Sequence, residues 1–183
     1  MKSDVQRWLQ GGGEVYLKNI GIKRGQIVLD FGCGEGHYAI PAAKVVGRRG
    51  LVYAQDKEKK ALEEVIKKAK AEGLENIKRL KTEGELKIDL NDGSVDAVLL
   101  YDVLHYHHIK ERRKIYREVH RILRSGALLS VFPRHHEEEM QLKLEEVKEE
   151  IKEANFVFER KLVGTLLHDV SYVKDSVLNF KKK

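Results

Sequence analysis

Cysteine and tryptophan each occur once in this 183-residue chain, and proline and methionine twice each. The lone thiol, Cys33, has no partner for an intrachain disulfide, and it argues against chemistry that gathers several thiolates around a metalloid. No apolar run approaches the ~20 residues that a helix needs to cross a bilayer. The opening residues, Met1-Lys2-Ser3-Asp4-Val5-Gln6-Arg7, lead into no signal-like hydrophobic stretch. The expectation is a soluble, cytoplasmic protein. Repeats and low-complexity segments are also missing, and the length suits one domain with one sizeable core.

An excess of one charge sign is modest. The net charge of +6 would allow an acidic partner such as nucleic acid, yet 35% of the residues are charged and both signs mix along the helices. The segment Ala61-Leu62-Glu63-Glu64-Val65-Ile66-Lys67-Lys68 pairs Glu with Lys at four-residue spacing, as a solvated helix face does. Abundant Lys and Glu with few Cys and Met fit a thermophile.

What is present is concentrated in residues 27–40. The apolar run Ile27-Val28-Leu29 meets Asp30, then Gly32, Gly34 and Gly36, and an amphipathic helix pattern follows. Strand, glycine turn and helix make room for a nucleotide-like ligand at the carboxyl end of a first strand. Glycine permits positive φ there and lets backbone approach a ligand, while the helix start offers free N–H groups. A dinucleotide turn of the form Gly-x-Gly-x-x-Gly needs its third glycine at residue 37, which is His here. Asp30 would also repel a pyrophosphate. A ligand carrying an ammonium and no phosphate, such as S-adenosylmethionine, would be attracted by it.

The segment Asp30-Phe31-Gly32-Cys33-Gly34-Glu35-Gly36 resembles the first motif of the class I S-adenosylmethionine-dependent methyltransferases, an acidic residue followed by Gly-x-Gly-x-Gly. The resemblance covers residues 14–180. Arg121-Ile122-Leu123-Arg124-Ser125-Gly126-Ala127 is similar to the family's Arg-x-Leu-Lys-Pro-Gly-Gly stretch, with Ser125 and Ala127 departing from it. The small-molecule branch that includes ubiquinone and menaquinone biosynthesis enzymes looks nearest. It implies an α/β fold, a three-layer Rossmann-like doubly wound sheet, mostly parallel, with strand order 3-2-1-4-5-7-6 and strand seven antiparallel.

Pattern reading supplies the elements. Helices are expected over Asp4–Gln10, from near Gly36, and over Lys59–Glu72, Glu111–Leu123 and Glu137–Ala154. Gly11-Gly12-Gly13 reads as a hinge. Strands are expected over Ile27–Leu29, Leu51–Gln55, Asn76–Lys81, Val95–Leu100, Ala127–Phe132, Phe156–Val163 and Val170–Phe180, with Lys181–Lys183 as a frayed tail. Strand and helix alternate, which favours a parallel sheet covered on both faces. Residues 1–20 are expected to form a helical lid segment on a single domain, 21–183.

The cofactor contacts implied by the resemblance are Asp30, Phe31, Gly32, Cys33, Gly34 and Gly36 from the turn, with Asp56, Lys57, Glu83 and Tyr101. Asp56, at the tip of strand two, suits the ribose hydroxyls or, blandly, a helix cap. Lys57 would lie along the adenine edge. Glu83, in competition with Glu85 and with Thr82, would accept from the adenine amino group. Asp102 is read as substrate-facing or as a cap of the next helix. Tyr16, Arg134, His135 and His136 are candidates for the pocket rim. His105 is the first choice for a base, should the acceptor need one, and no catalytic residue is assigned. His105 and His108 are three apart, but nearby thiolates and carboxylates are lacking, so no metal is expected.

The expected reaction moves a methyl group to an N, O, S or C atom and leaves S-adenosylhomocysteine. Prolines occur only at 41 and 133, so the Pro-Pro motif of nucleic-acid amino methylation is absent and a small-molecule acceptor is favoured. A second subunit completing the lid as a homodimer, an RNA acceptor, and a cofactor-binding scaffold without catalysis stay open.

Overall fold

The computed structural model describes residues 1–82, 86–133 and 142–183. Seven strands form one sheet: β1 (Ile27–Phe31), β2 (Leu51–Asp56), β3 (Ile77–Lys81), β4 (Val95–Tyr101), β5 (Leu123–Phe132), β6 (Phe156–His168) and β7 (Ser171–Lys182). Their order is β3-β2-β1-β4-β5-β7-β6, with the first five parallel and β7 antiparallel to both β5 and β6. Fold class and strand order are those the family resemblance implies.

Alternation along each strand builds two cores. Val28, Val52, Ala54 and Ala97 point to one face, under α2 (Gly13–Ile20), α3 (Ala39–Val46) and α4 (Lys59–Ala71). Leu29, Val98 and Leu100 point to the other, under α5 (Ile109–Ile122) and α6 (Leu144–Glu153). β4 sits between β1 and β5 and is buried at nearly every position, as a run rich in Val, Leu and Ala requires in mid-sheet. Ile115, Val119 and Ile122 on α5, at helical spacing, are fully buried against it.

Several elements differ from their expected bounds. The first helix, α1 (Asp4–Arg7), is followed by a wide turn over Trp8–Gly12, and α2 starts at Gly13. Only Gly11 in that glycine run takes positive φ, at 135°. A Cβ on Gly13 would lie 2.6 Å from Pro41 and 2.9 Å from Trp8, so Gly13 is a packing contact rather than a hinge. α3 begins at Ala39, not near Gly36, because Gly32, Gly34 and Gly36 all hold positive φ.

α5 ends at Ile122, and Leu123 already belongs to β5, with residues 124–126 bulging outward before Ala97 pairs with Leu128. The closing strands are longer than expected. β6 runs through Gly164 to His168, turns over Asp169-Val170, and β7 returns to Lys182. Lys182 is held in the sheet by its Nζ, which donates to the Leu123 carbonyl (2.7 Å). Of the helix expected over Glu137–Ala154, Leu144–Glu153 is observed, and residues 134–141 lie outside the described set.

Pairing of β5 with β7 is recorded up to Val131 and Leu178, yet β6 and β7 continue to pair as far as His168 and Ser171. That surplus forms an arm beyond the tip of β5, on the carboxyl edge of the parallel strands.

Candidate functional site

β1 delivers Asp30 to that edge, and the chain then turns through three glycines. The N–H groups of Gly32 and Cys33 both donate to the Gln55 carbonyl of β2 (2.8 and 2.9 Å), which fixes the turn on the strand beside it. Gly36 N–H closes it on the Cys33 carbonyl (2.9 Å). The glycines serve different ends. A Cβ at Gly32 would strike Val103 Cγ2 at 2.7 Å, and one at Gly36 would strike Val65 Cγ2 at 2.9 Å. At Gly34 nothing among the described residues lies within 4 Å, so that position borders open space.

Asp56, ending β2, joins the turn. Its Oδ2 accepts from the Gly34 N–H (2.8 Å), and its Oδ1 accepts from the Glu58 N–H (2.9 Å). It therefore caps its own loop and braces the glycine turn at once. Lys57 beside it is exposed, Cys33 is buried, and Phe31 is buried in the core on the opposite face from Cys33. Burial pushes the Cys33 thiol far up, with Asp30 and Asp56 adding to the effect, so it stays protonated. Glu83 and Glu85, and the rim candidates Arg134, His135 and His136, lie outside the described residues.

Asp30 is the unusual group. It is 2% exposed, and its Oδ2 has no hydrogen-bond partner among the described residues. Burial, then repulsion from Asp56, raises its carboxyl to about 7, although the Ala39 N–H donates to it and pulls the other way. A buried acid without a counter-charge is costly to ionise.

Aromatic side chains close over this edge. Tyr38, just past the turn, meets the Tyr101 ring edge-on at 4.7 Å. Trp8 contacts Tyr16 and Tyr38 with centroids 5.4 and 5.2 Å apart, and its Nε1–H donates to the His37 carbonyl (2.7 Å). Tyr16 donates its hydroxyl hydrogen to the Tyr101 oxygen (3.1 Å), which in turn bonds Ser130 Oγ (2.8 Å). Ser130 donates to Asn179 Oδ1 (2.8 Å), whose Nδ2 donates to the Ile20 carbonyl (2.8 Å). The relay joins α2, β4, β5 and β7. Burial holds the Tyr16, Tyr38 and Tyr101 phenols well above their ordinary range.

The arm of β6 and β7 completes the edge. Tyr38 donates to the Leu167 carbonyl (2.6 Å), and Tyr172 N–H donates to Asp4 Oδ2 (2.9 Å). His168 Nδ1 bonds Asp102 Oδ2, and His168 Nε2 lies 3.8 Å from Asp169 Oδ2. Both aspartates sit at positive φ, 57° and 51°. His105 Nδ1 stands 3.9 Å from Asp102 Oδ1, and its ring lies against Tyr106 at 4.0 Å. His108 instead caps α5, accepting from the Glu111 N–H.

Among the described residues, one set of donors is compact enough for a cation: Asp102, His168 and Asp169, within 4.8 Å of one another. Sequence reasoning placed Asp30, the turn glycines, Asp56 and Tyr101 on one edge, and they are together there. It missed His168 and Asp169, for which no local motif exists.

Comparison with known proteins adds the family. A model described as a methyltransferase domain matches residues 22–176. The probable cobalt-precorrin-6B C(15)-methyltransferase (decarboxylating) of Saccharolobus solfataricus is 35% identical over 85 residues, 46% of this chain and 43% of that one. A demethylmenaquinone methyltransferase of Geobacillus kaustophilus is 28% identical over 115 residues, 63% of this chain and 48% of that one. The chain thus spans less than half the length of these two relatives.

A crystal structure of a SAM-dependent methyltransferase from Aquifex aeolicus superposes with a TM-score of 0.74 at 26% identity, covering 98% of this chain and 97% of that one. With its first-motif turn, its strand order and a family match over most of its length, the chain belongs to the class I S-adenosylmethionine-dependent methyltransferases.

Proposed function

We propose that this chain transfers a methyl group from S-adenosylmethionine to a small-molecule acceptor. The observation that carries the reading is Asp30: a buried carboxylate with an unpartnered oxygen under the glycine turn. It suits the ammonium of the cofactor's methionine part, which would supply the missing counter-charge. Open space at Gly34 suits close passage of the ligand over bare backbone. The Asp56 carboxylate keeps acceptor capacity beyond its two backbone bonds, as recognition of ribose hydroxyls requires. Tyr101 and Cys33 would wall the site, and Lys57 would flank it. Residues 1–20 would serve as part of its cover.

When bound, S-adenosylmethionine supplies a methyl group already activated by its sulfonium. The chain's own task is then to orient the acceptor and exclude water, and positioning alone is worth ~7–11 kcal/mol in favourable cases. The small-molecule acceptor is supported by the relatives' names.

Calorimetry with S-adenosylmethionine and S-adenosylhomocysteine, with NAD as control, tests the reading. Binding of the first two alone is the expected result, and NAD binding would replace methyl transfer with hydride transfer. Asp56→Ala should weaken S-adenosylmethionine by about 1–3 kcal/mol, roughly 5–150-fold. Unchanged affinity would remove Asp56 from the site.

A further inference from the structure

The amino edge of the sheet, at the far end of β1 from the glycine turn, carries three arginines on two adjoining loops. Arg24 precedes β1, and Arg48 and Arg49 lie between α3 and β2. With Gly25 and Val46 they line an open cleft of about 550 Å³, within the ~300–1,000 Å³ of small-ligand sites. The two loops are tied together. Gly25 N–H donates to the Val46 carbonyl (2.8 Å), and Leu51 N–H donates to the Gln26 carbonyl (3.0 Å). Gly47 holds φ at 66°, and a Cβ there would stand 3.8 Å from Arg24 Nη2 and 3.9 Å from its Nε. The Arg24 guanidinium therefore lies against Gly47, next in sequence to Arg48.

Ordinary structural duties do not account for this trio. Arg7, Arg112, Arg113, Arg121 and Arg124 each form an ion pair. Arg24, Arg48 and Arg49 are exposed, and among the described residues their side chains make no ion pair or hydrogen bond. Basic side chains at a helix C-terminus commonly satisfy its last carbonyls. Here the Ala43 carbonyl accepts from Gly47 N–H (3.0 Å) and Asn76 Nδ2 (2.9 Å), and the Val46 carbonyl accepts from Gly25 N–H, so α3 is capped without them. Three like charges around one hollow repel one another, and an anion between them relieves the repulsion.

We propose that this cleft binds a small ligand carrying two or more phosphoryl groups, at a site separate from the methyl-transfer edge. Guanidinium groups match phosphoryl oxygens through paired, planar hydrogen bonds, and three of them suit a multiply charged anion better than a single carboxylate. The positive surface is short. Arg48 also borders a hollow lined by Glu75, and the groove on the other side, lined by Lys23 and Gln26, contains Asp96 and Glu159. Carboxylates on both flanks favour a compact anion over a nucleic-acid strand, whose backbone calls for an extended basic stripe. The site does not depend on the methyltransferase reading. β1 spans five residues, about 17 Å, between the Arg24 loop and the glycine turn, so a compact ligand here does not reach the cofactor edge.

Calorimetry of the full chain with inorganic pyrophosphate in ~0.15 M salt tests this, with orthophosphate and a single-stranded RNA of about 20 nucleotides as comparisons. The expected result is one-to-one binding of pyrophosphate with Kd below about 1 mM, at least about tenfold tighter than orthophosphate and weakening as salt rises. Arg24→Ala, Arg48→Ala and Arg49→Ala should each weaken it at least about fivefold, and Arg48→Lys less than Arg48→Ala. Arg117→Ala, which removes an exposed arginine from α5, should leave it within about twofold.

No binding of pyrophosphate would overturn the proposal. So would an equal loss in Arg117→Ala and in the cleft variants, because the effect would then be one of net charge. RNA binding tighter than pyrophosphate, and lost in the same cleft variants, would replace the site by a nucleic-acid surface. Displacement of pyrophosphate by S-adenosylmethionine would put the anion on the cofactor edge and overturn the proposal as well. Failure of S-adenosylmethionine itself to bind would refute the methyltransferase reading alone, since pyrophosphate at the arginines needs no cofactor.

Discussion

Replacing Gly34 by Ala adds a Cβ that meets no protein atom within 4 Å, whereas the same change at Gly32 puts it 2.7 Å from Val103 Cγ2 and 3.1 Å from Val103 Cβ. Both glycines hold positive φ, 49° and 73°, so both variants carry a backbone penalty of about 1–2 kcal/mol. Reduced freedom of the unfolded chain offsets about 0.4–1 kcal/mol of it. Gly34→Ala should then lose about 1 kcal/mol, a fall in Tm of roughly 2–4 °C for a chain of this size.

Gly32→Ala adds overpacking of about 1–3 kcal/mol, and its fall should be roughly two to four times as large. Ligand binding should show the opposite order of specificity. If the cofactor passes over Gly34 as proposed, the added methyl meets it, and affinity for S-adenosylmethionine should drop at least about tenfold, or 1.4 kcal/mol, in a protein that is nearly as stable as the parent. Differential scanning fluorimetry and calorimetry on the same preparations measure both. If Gly34→Ala binds as the parent does, the ligand does not pass over Gly34. If the two variants melt alike, the Val103 contact is not a constraint.

Other perturbations have equally definite signs. Asp30 has a folded value of about 7, above its unfolded value near 3.9, so the stability it confers is fully present below about pH 4 and is lost as pH rises through about 7. The loss reaches up to about 4 kcal/mol by pH 8, and Asp30→Asn should remove that slope; parallel urea midpoints for both proteins from pH 5 to 8 would contradict it. Arg112 grips Glu150 through Nε (2.9 Å) and Nη2 (2.5 Å), while Tyr116 donates to the same carboxylate (3.2 Å), tying α5 to α6. Arg112→Ala strands Glu150 and should cost about 3–5 kcal/mol, whereas Arg112→Met with Glu150→Leu should recover most of it in denaturant titrations. A double variant no better than the single one would mean that α6 depends on the charges themselves.

How much of this was legible depends on sequence distance. The run from Ile27 to Gly36 holds strand, acid and turn in ten residues, so the local pattern alone locates the end of β1 and its glycine turn. Asp56 was legible because it ends an apolar strand, although its bonds to Gly34 and Glu58 N–H show a bracing role as well as the cap that its position suggested. The order of the sheet came from family resemblance, since no periodicity says which strand lies beside which.

The closing arm was misjudged for a local reason. Gly164-Thr165 reads as a break in a strand, yet a Cβ at Gly164 would meet nothing within 4 Å, so glycine is not demanded there by any contact. Cross-strand pairing carries the strand through it to His168, and the reversal is made by Asp169 at φ 51°, a conformation that aspartate tolerates better than most residues.

That extension by five residues is what brings His168 to Asp102, 66 positions earlier in the chain. A sequence scan near the loop after β4 finds His105, whose Nδ1 stands 3.9 Å from Asp102 Oδ1, and has no local cue to His168. The edge is therefore assembled from two scales. The glycine turn is local and can be written in one motif, while the bond between His168 and Asp102 depends on how far a hairpin runs past the end of its sheet. Shortening the arm should then affect the two unequally: the Gly32–Gly36 turn, braced by Gln55 and Asp56, keeps its bonds without the arm, whereas the Asp102 carboxylate loses its imidazole.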